Sequence, residues 1–363
     1  MTIKEIETLS GMEHGIGVPQ AFYPWRRYLA RMLDISIYNM FWSIFLIFMF
    51  NVNLLNRSNI GHIFDGFISL GIMLLLEPLC LPLFRTTPGK AIFGLVINTS
   101  EGRRLSYIEG LKRTWEVFGV GMGYNIPIYH IIRLWKSYEL CSDNEIQPWD
   151  KQISYIKKDK KWYQGLLFVA AHVAIIAVLF TAISAQKLPP NRGDLTVTEF
   201  VENYNYYADL YDIDFGNKYL DKSGQWMEKA LDGTTYIELG YSDMPEYNYT
   251  IENGDVTGVA FIIELKNNED WISSYDNQMI LASLSFAGAQ DEVSLFSKVN
   301  RNIIDNIINN KLKNFEFIEA NIEFICNVIY TGYINTYDGY LFPDKNLEEN
   351  YFKLDYSINK LQY

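Results

Sequence analysis

Several charged side chains of this sequence fall in or beside long apolar runs, at spacings that could do chemistry. Arg27, Arg31 and Asp34 stand four and three positions apart. On a helix they lie within about 60° of one another, on one face. Two readings are open. The three form a snorkelling set at a membrane edge, with Asp34 neutralised by Arg31 one turn away. Alternatively, they face a helix bundle and meet Asp150 or Lys90. Glu77 is deeper in an apolar run, directly before Pro78, with Pro82 one turn on. An intramembrane carboxylate costs roughly 2.5–3.5 kcal/mol on insertion scales unless paired or protonated. Prolines free backbone carbonyls, and a carboxylate beside free carbonyls suits a hard cation or a shuttled proton. The competing reading pairs Glu77 with Arg85 or Lys90. Asp65 is expected to reach water, and His172 to hydrogen-bond another helix. Gly89-Lys90, at a helix exit, could cradle a lipid phosphate.

The elements that must position these groups are membrane helices. A bilayer core of ~30 Å needs about 20 mostly apolar helical residues. Leu33–Phe50, Ile63–Phe84 and Tyr163–Ser184 each supply such a run. A fourth stretch, Trp115–Trp135, holds Gly119, Gly121 and Gly123 and then Asn125-Ile126-Pro127, which interrupts a helix halfway. Both of its flanks are rich in Lys and Arg, and such loops stay in the cytoplasm. A re-entrant or broken hairpin keeps both flanks inside, provided its freed backbone groups are buried in protein.

Charge divides the chain in two. Residues 1–184 hold 18 Lys and Arg against 14 Asp and Glu, while residues 185–363 hold 13 against 29. The acidic half argues against a nucleic-acid partner, since phosphate binding needs a cationic face. Arg26, Arg27 and Arg31 hold the N-terminal side in the cytoplasm, and the loop 51–62, with Arg57 alone, faces out. The second span returns inside and the third runs outward. The acidic half is then extracytoplasmic, on a multi-pass protein of the cell (plasma) membrane.

Residues 22–156 resemble the RDD family of membrane proteins. Arg27-x-x-Ala30-x-x-x-Asp34 is similar to the arginine and first aspartate that help name the family. Thr87-Pro88-Gly89-Lys90 followed by Phe93-Gly94-Leu95 resembles its loop signature, and Asn98–Leu105 its short polar hairpin. Arg113 fits the arginine that follows, and the second family aspartate maps to Asp150. Trp149 stands where histidine or glycine is common, and Lys151–Lys157 keeps a loose likeness to the closing strand. The resemblance implies a membrane protein, some of whose relatives are linked to cation/proton exchange. With Glu77, marked by its depth in an apolar run, the matched Arg27, Asp34 and Asp150 become candidates for an ion or proton pathway carrying sodium or protons. Three or four spans make a small channel wall, so transport would call for a homo-oligomer.

After the linker Gln186–Asp194, the acidic region reads as an α+β layer fold. Thr196–Tyr211 suits an amphipathic helix with Thr196 and Glu199 as a capping box. Strands are expected at Tyr236–Leu239, Tyr247–Ile251, Val256–Leu265, Ile322–Tyr330 and Tyr351–Ile358, with a hairpin at Asn253-Gly254. Helices are expected at Met279–Ala289 and Val293–Leu312. No catalytic constellation is legible: no histidine follows His172, and Gly-x-Ser-x-Gly and zinc-type Cys/His spacings are missing. The expectation is an all-α polytopic membrane domain joined to an α+β soluble domain, not an enzyme, with no cofactor and no metal. Its divisions are a polar tail 1–21, the RDD-like region 22–156, a final span 157–187 and the acidic domain 188–363. The partners are the lipid bilayer and a cation or, as the second reading, a cell-envelope protein recognised by the outer domain.

Overall fold

The computed structural model describes residues 21–151, 153–157, 162–229, 243–337 and 339–361. Two compact units are present, one of residues up to 48 with 57–180, the other of 49–56 with 181 onward.

In the first unit, α1 (Pro24–Phe50), α2 (Asn59–Phe84) and α6 (Gln164–Ala185) are long and apolar enough to cross a membrane. The first two begin earlier than hydropathy alone suggests. Ser58 caps α2 by accepting from the Gly61 amide, and residues 24–32 extend α1 by about two and a half turns, which places Arg27 and Arg31 one turn apart on it. Only 6% of the apolar window of α6 is buried. A helix left so bare, and so apolar, suits hydrocarbon as its surroundings.

Arg85 ends α2 in the left-handed conformation, φ 61°. Thr87 then caps the short α3 (Pro88–Ile92), with Pro88 at its first position, where a missing N–H costs nothing. Strand β1 (Leu95–Thr99) pairs antiparallel with β2 (Ile153–Lys157), from Leu95 opposite Lys157 to Thr99 opposite Ile153. The segment of loose likeness, Lys151–Lys157, thus contains a formed strand, Ile153–Lys157. Ser106 and Glu109 make a capping box at the start of α4 (Tyr107–Glu116).

The 115–135 stretch is broken, as its glycines and proline require. A π-helical turn, Val117–Gly121, follows α4, and the backbone reverses through positive φ at Gly123, Tyr124 and Asn125 before α5 (Pro127–Ser142). The break exposes carbonyls that something must satisfy. Arg133 Nε donates to the Val120 carbonyl at 2.5 Å, and His130 Nδ1 lies 2.6 Å from the Met122 carbonyl. Charged and ring nitrogens from the second arm thus close the ladder that the first arm leaves open.

The second unit is α+β. Helix α7 (Val197–Tyr211) carries the Thr196/Glu199 capping box. Strands β5 (Asn248–Glu252), β6 (Asp255–Lys266), β8 (Phe315–Glu319), β9 (Ile322–Thr331) and β12 (Tyr351–Lys360) form an antiparallel sheet in the order β5-β6-β12-β9-β8. Its inner face alternates strictly along β12, where Phe352, Leu354, Tyr356 and Ile358 are buried. These pack with α7, α8 (Asp276–Ala287) and α9 (Val299–Asn309) in one core. Helix α8 is buried from Gln278 to Ala287, which explains why its sequence shows no clear polar stripe. On the opposite face of the sheet Ile262 and Ile329 are exposed.

Four differences from the sequence reading are physical. Helix α9 starts at Val299, not Val293, because residues 293–298 form turns, with the Ser297 amide bonded to the Ser294 carbonyl. The short strands β3 (Lys218–Leu220), β4 (Trp226–Glu228), β7 (Ile272–Ser273), β10 (Tyr333–Tyr337) and β11 (Tyr340–Pro343) are not expected from the sequence; four of them are four residues or fewer, too short for alternation to register. The linker 186–194 is pinned. Arg192 donates to the carbonyls of Gln290 and Val293 at 3.0 and 2.6 Å, and Asn203 donates to Asn191. Lastly, His172 bonds the Phe168 carbonyl of its own helix, not another helix. The strand expected at 236–239 lies outside the described residues.

Cys326 is 1% exposed, and burial pushes its thiol up to about 12. Burial likewise raises the hydroxyls of Tyr204, Tyr247 and Tyr356. These groups keep protons in the native state that the unfolded chain releases near pH 8.5 and 10, so stability falls as pH rises through that window. With Cys80→Ala and Cys141→Ala in place, maleimide labelling of Cys326 reports opening of this unit. Labelling protection is expected to fail progressively above about pH 9. At neutral pH, Phe324→Ala should lower the unfolding free energy read this way by about 3–5 kcal/mol, and Thr196→Ala by about 1 kcal/mol.

Candidate functional site

The candidate residues of the first unit converge, but not in the pairs that sequence spacing suggests. Asp34, 1% exposed, is not neutralised by Arg31 one turn away. It turns to the α3 loop, where its Oδ1 accepts the Gly89 amide at 2.7 Å and its Oδ2 accepts the Thr87 hydroxyl at 2.6 Å. Lys90 Nζ lies 3.5 Å from the same Oδ2. Gly89 is required here: a Cβ at this position would sit 2.1 Å from the Ala30 carbonyl oxygen and 2.9 Å from Asp34 Oδ1. Each residue of Thr87-Pro88-Gly89-Lys90 thus has a task. Thr87 caps and donates, Pro88 starts the turn, Gly89 allows the backbone to touch α1, and Lys90 brings the charge.

Arg31 reaches Glu77 instead. It forms an ion pair with Glu77 Oε2, and its second terminal nitrogen donates to Oε1 at 3.1 Å. Lys90 Nζ donates to Glu77 Oε1 at 2.9 Å, and Arg113 approaches the same oxygen at 4.0 Å. Of the two partners expected for Glu77, Lys90 is found, while Arg85 closes the α2 terminus. Arg27 pairs with Asp150 Oδ2, and Arg113 Nε donates to Asp150 Oδ1 at 3.0 Å. Burial works to raise the Asp150 carboxyl, but Arg113 and Arg27 outweigh it and hold it below the usual carboxylate range. Burial pushes the Lys90 ammonium down, against the pull of Glu77.

Three carboxylates, Asp34, Glu77 and Asp150, therefore share four cations, Arg27, Arg31, Lys90 and Arg113, leaving one surplus positive charge. Residue spacing assigns Arg113 no part in the chemistry, although its place after the polar hairpin marks it. Trp149, the departure from the family pattern, packs its indole over Gly121, where a Cβ would come within 2.9 Å of the ring. A bulky ring beside Asp150 is accommodated because the π-helical turn offers a bare glycine. Asp65 is half-buried and paired as well as reached by water: Arg57 donates to it at 2.5 and 3.0 Å and the Trp42 indole at 2.9 Å. Among the described residues no group of three or more His, Cys, Asp and Glu gathers as a metal site would require.

A cavity of about 540 Å³ opens beside the network, lined by Arg27, Arg31, Lys90, Arg113 and Gln147 together with apolar and aromatic side chains. None of the three carboxylates is among its lining residues. The cations stand in front and the acids behind.

Removing one member of a buried network leaves its partners charged and unpaired, which costs about 3–5 kcal/mol. Asp150→Asn strands Arg27 and Arg113 and is expected to lower the thermal midpoint of the detergent-solubilised protein markedly. Gly89→Ala should do the same by driving α3 off the Ala30 carbonyl. Glu109→Gln removes an exposed pair with Arg103 and should change the midpoint little.

The profile of the RDD family matches residues 23–192. Among curated proteins and solved structures nothing matches the chain. The family match, the three membrane-length helices and the loop signature that seats Asp34 agree. Residues 23–192 are an RDD family domain, and an additional C-terminal α+β region follows it.

Proposed function

We propose that the RDD domain anchors this chain in the plasma membrane and that the acidic α+β region is an extracytoplasmic binding domain for a cell-envelope partner. The observation that carries the reading is the pairing of Asp34, Glu77 and Asp150 with basic side chains. Cation or proton exchange through these carboxylates would require each to give up a bonded partner for every ion carried. A static network that locks helices together asks for no such step, and a monomer suffices for it.

Sidedness is supported twice. Lys and Arg concentrate in the segments 85–113 and 133–161, as cytoplasmic loops do. The 49–56 connection, which the same rule puts outside, belongs to the unit of the acidic region, where Asn51 Nδ2 donates to the Tyr206 carbonyl and Gln186 Nε2 to Val52. A binding role is supported by the open sheet face. There Ile262 and Ile329, 51% and 57% exposed, alternate with Lys353, Asp355 and Glu264 on adjacent strands. Exposed isoleucines ringed by charge suit a protein partner more than bulk water.

In intact cells, a photo-crosslinker at Ile262 or Ile329 of the full chain is expected to give a discrete adduct that one at Lys345 does not. Adducts from neither position sink the binding assignment. Lys345→Cys should react with a membrane-impermeant maleimide in intact cells, and protection there reverses the sidedness. In proteoliposomes, sodium- or proton-driven flux is expected to equal that of empty vesicles. Flux in the parent protein that Glu77→Gln abolishes would restore the exchange reading.

A further inference from the structure

We propose that the 540 Å³ cavity of the membrane unit is a binding site for an anionic phospholipid, with the headgroup on its cationic wall and the acyl chains on its apolar wall. Four features lead there. First, the wall is cationic: Arg27, Arg31, Lys90 and Arg113 all line it, whereas Asp34, Glu77 and Asp150 do not. Second, the network behind that wall carries one surplus positive charge. An anion entering the cavity meets guanidinium groups already fixed by their carboxylates, so little ordering entropy is lost when it binds. A cation entering from the same side meets repulsion first.

Third, Gln147 is 2% exposed and lines the cavity, and its side-chain oxygen has no hydrogen-bond donor among the described residues. Its nitrogen is committed to the Ser137 carbonyl at 2.8 Å, which fixes which way the amide faces. A buried acceptor without a donor costs about 1–3 kcal/mol, and a hydroxyl of a glycerol headgroup supplies the missing donor. Fourth, the remaining walls are not those of a small-ion site. Trp25, Ile131 and Trp135 line the cavity and are 64%, 67% and 62% exposed. Indoles beside arginines at a helix end are what the headgroup level of a bilayer favours, and the open apolar side leaves room for chains that a phosphate ion alone would not fill. Phosphate on the cations, hydroxyl on Gln147 and hydrocarbon along the tryptophans together describe phosphatidylglycerol or a lipid of the same chemistry.

The test uses full-length protein in a neutral detergent, titrated with dioctanoyl phosphatidylglycerol, dioctanoyl phosphatidylcholine and sodium phosphate. Saturable binding of phosphatidylglycerol is expected, roughly tenfold or more tighter than either comparison, and weakening as salt is raised. Leu134→Trp fills the cavity without touching an ion pair and should abolish binding, while Arg103→Gln, away from the cavity, should leave it unchanged. Should Leu134→Trp lower the thermal midpoint, Gln147→Leu takes its place; it keeps the volume, removes the orphan oxygen and should weaken phosphatidylglycerol more than phosphate. Equal binding of phosphatidylcholine overturns the headgroup assignment, and phosphate binding as tightly as the lipid reduces the site to one for a small anion. No saturable binding, or full binding by Leu134→Trp and by Gln147→Leu, overturns the proposal outright.

Discussion

Charge placed in an apolar helix bundle has to be balanced within it, and that constraint organises the membrane unit. Glu77 on α2 and Asp34 on α1 cannot stay ionised among hydrocarbon unless cations reach them. Arg31 reaches Glu77 from α1, Lys90 reaches both acids from α3, and Arg113 on α4 connects Glu77 with Asp150. Five separate stretches of chain are thereby tied at one point. Apolar clusters such as Ala30, Leu81, Phe93 and Leu95, and Tyr38, Leu70, Met73 and Met122, pack the same elements around these ion pairs.

The same constraint explains the local backbone. Asp34 needs more donors than one lysine can give, and the α3 loop supplies an amide and a hydroxyl at the cost of a close approach that only glycine permits. Where the fourth helical stretch breaks, Arg133 and His130 occupy the carbonyls it releases. The carbonyls released at this break are met by side chains that arrive from the arm beyond it, which is the general condition for irregular backbone at membrane depth. A cavity whose wall is built from the spare faces of those cations is a consequence of having four of them for three acids.

The acidic unit is stabilised by different means. Its core is a single layer contact between one sheet face and three helices, heavy in tyrosine: Tyr204, Tyr207 and Tyr356 are all at or below 1% exposure. These three are tolerated because their hydroxyls find partners, Tyr356 at Ser283, Tyr207 at the Lys187 carbonyl and Tyr204 at the Tyr247 hydroxyl. The bond from Tyr207 to the Lys187 carbonyl also fixes the first residues of this unit after α6.

By itself the sequence determined the classes of element: three membrane-length helices from run length, the interrupted fourth from Asn125-Ile126-Pro127, the capped helix at Thr196, and the long strands of the α+β region from their alternation. These are local properties, carried by propensity, period and turn chemistry. It also marked Arg27, Asp34, Glu77, Lys90 and Asp150. What it could not decide was which acid takes which base, because helical spacing favours Arg31 with Asp34 and only the crossing of α1 and α2 brings Arg31 to Glu77 instead. The very short strands, the role of Arg113 and the seat of Trp149 on Gly121 were equally tertiary. Pairing energies in a medium with little water depend on which charges lie nearest in space, and separation along the chain does not report that distance.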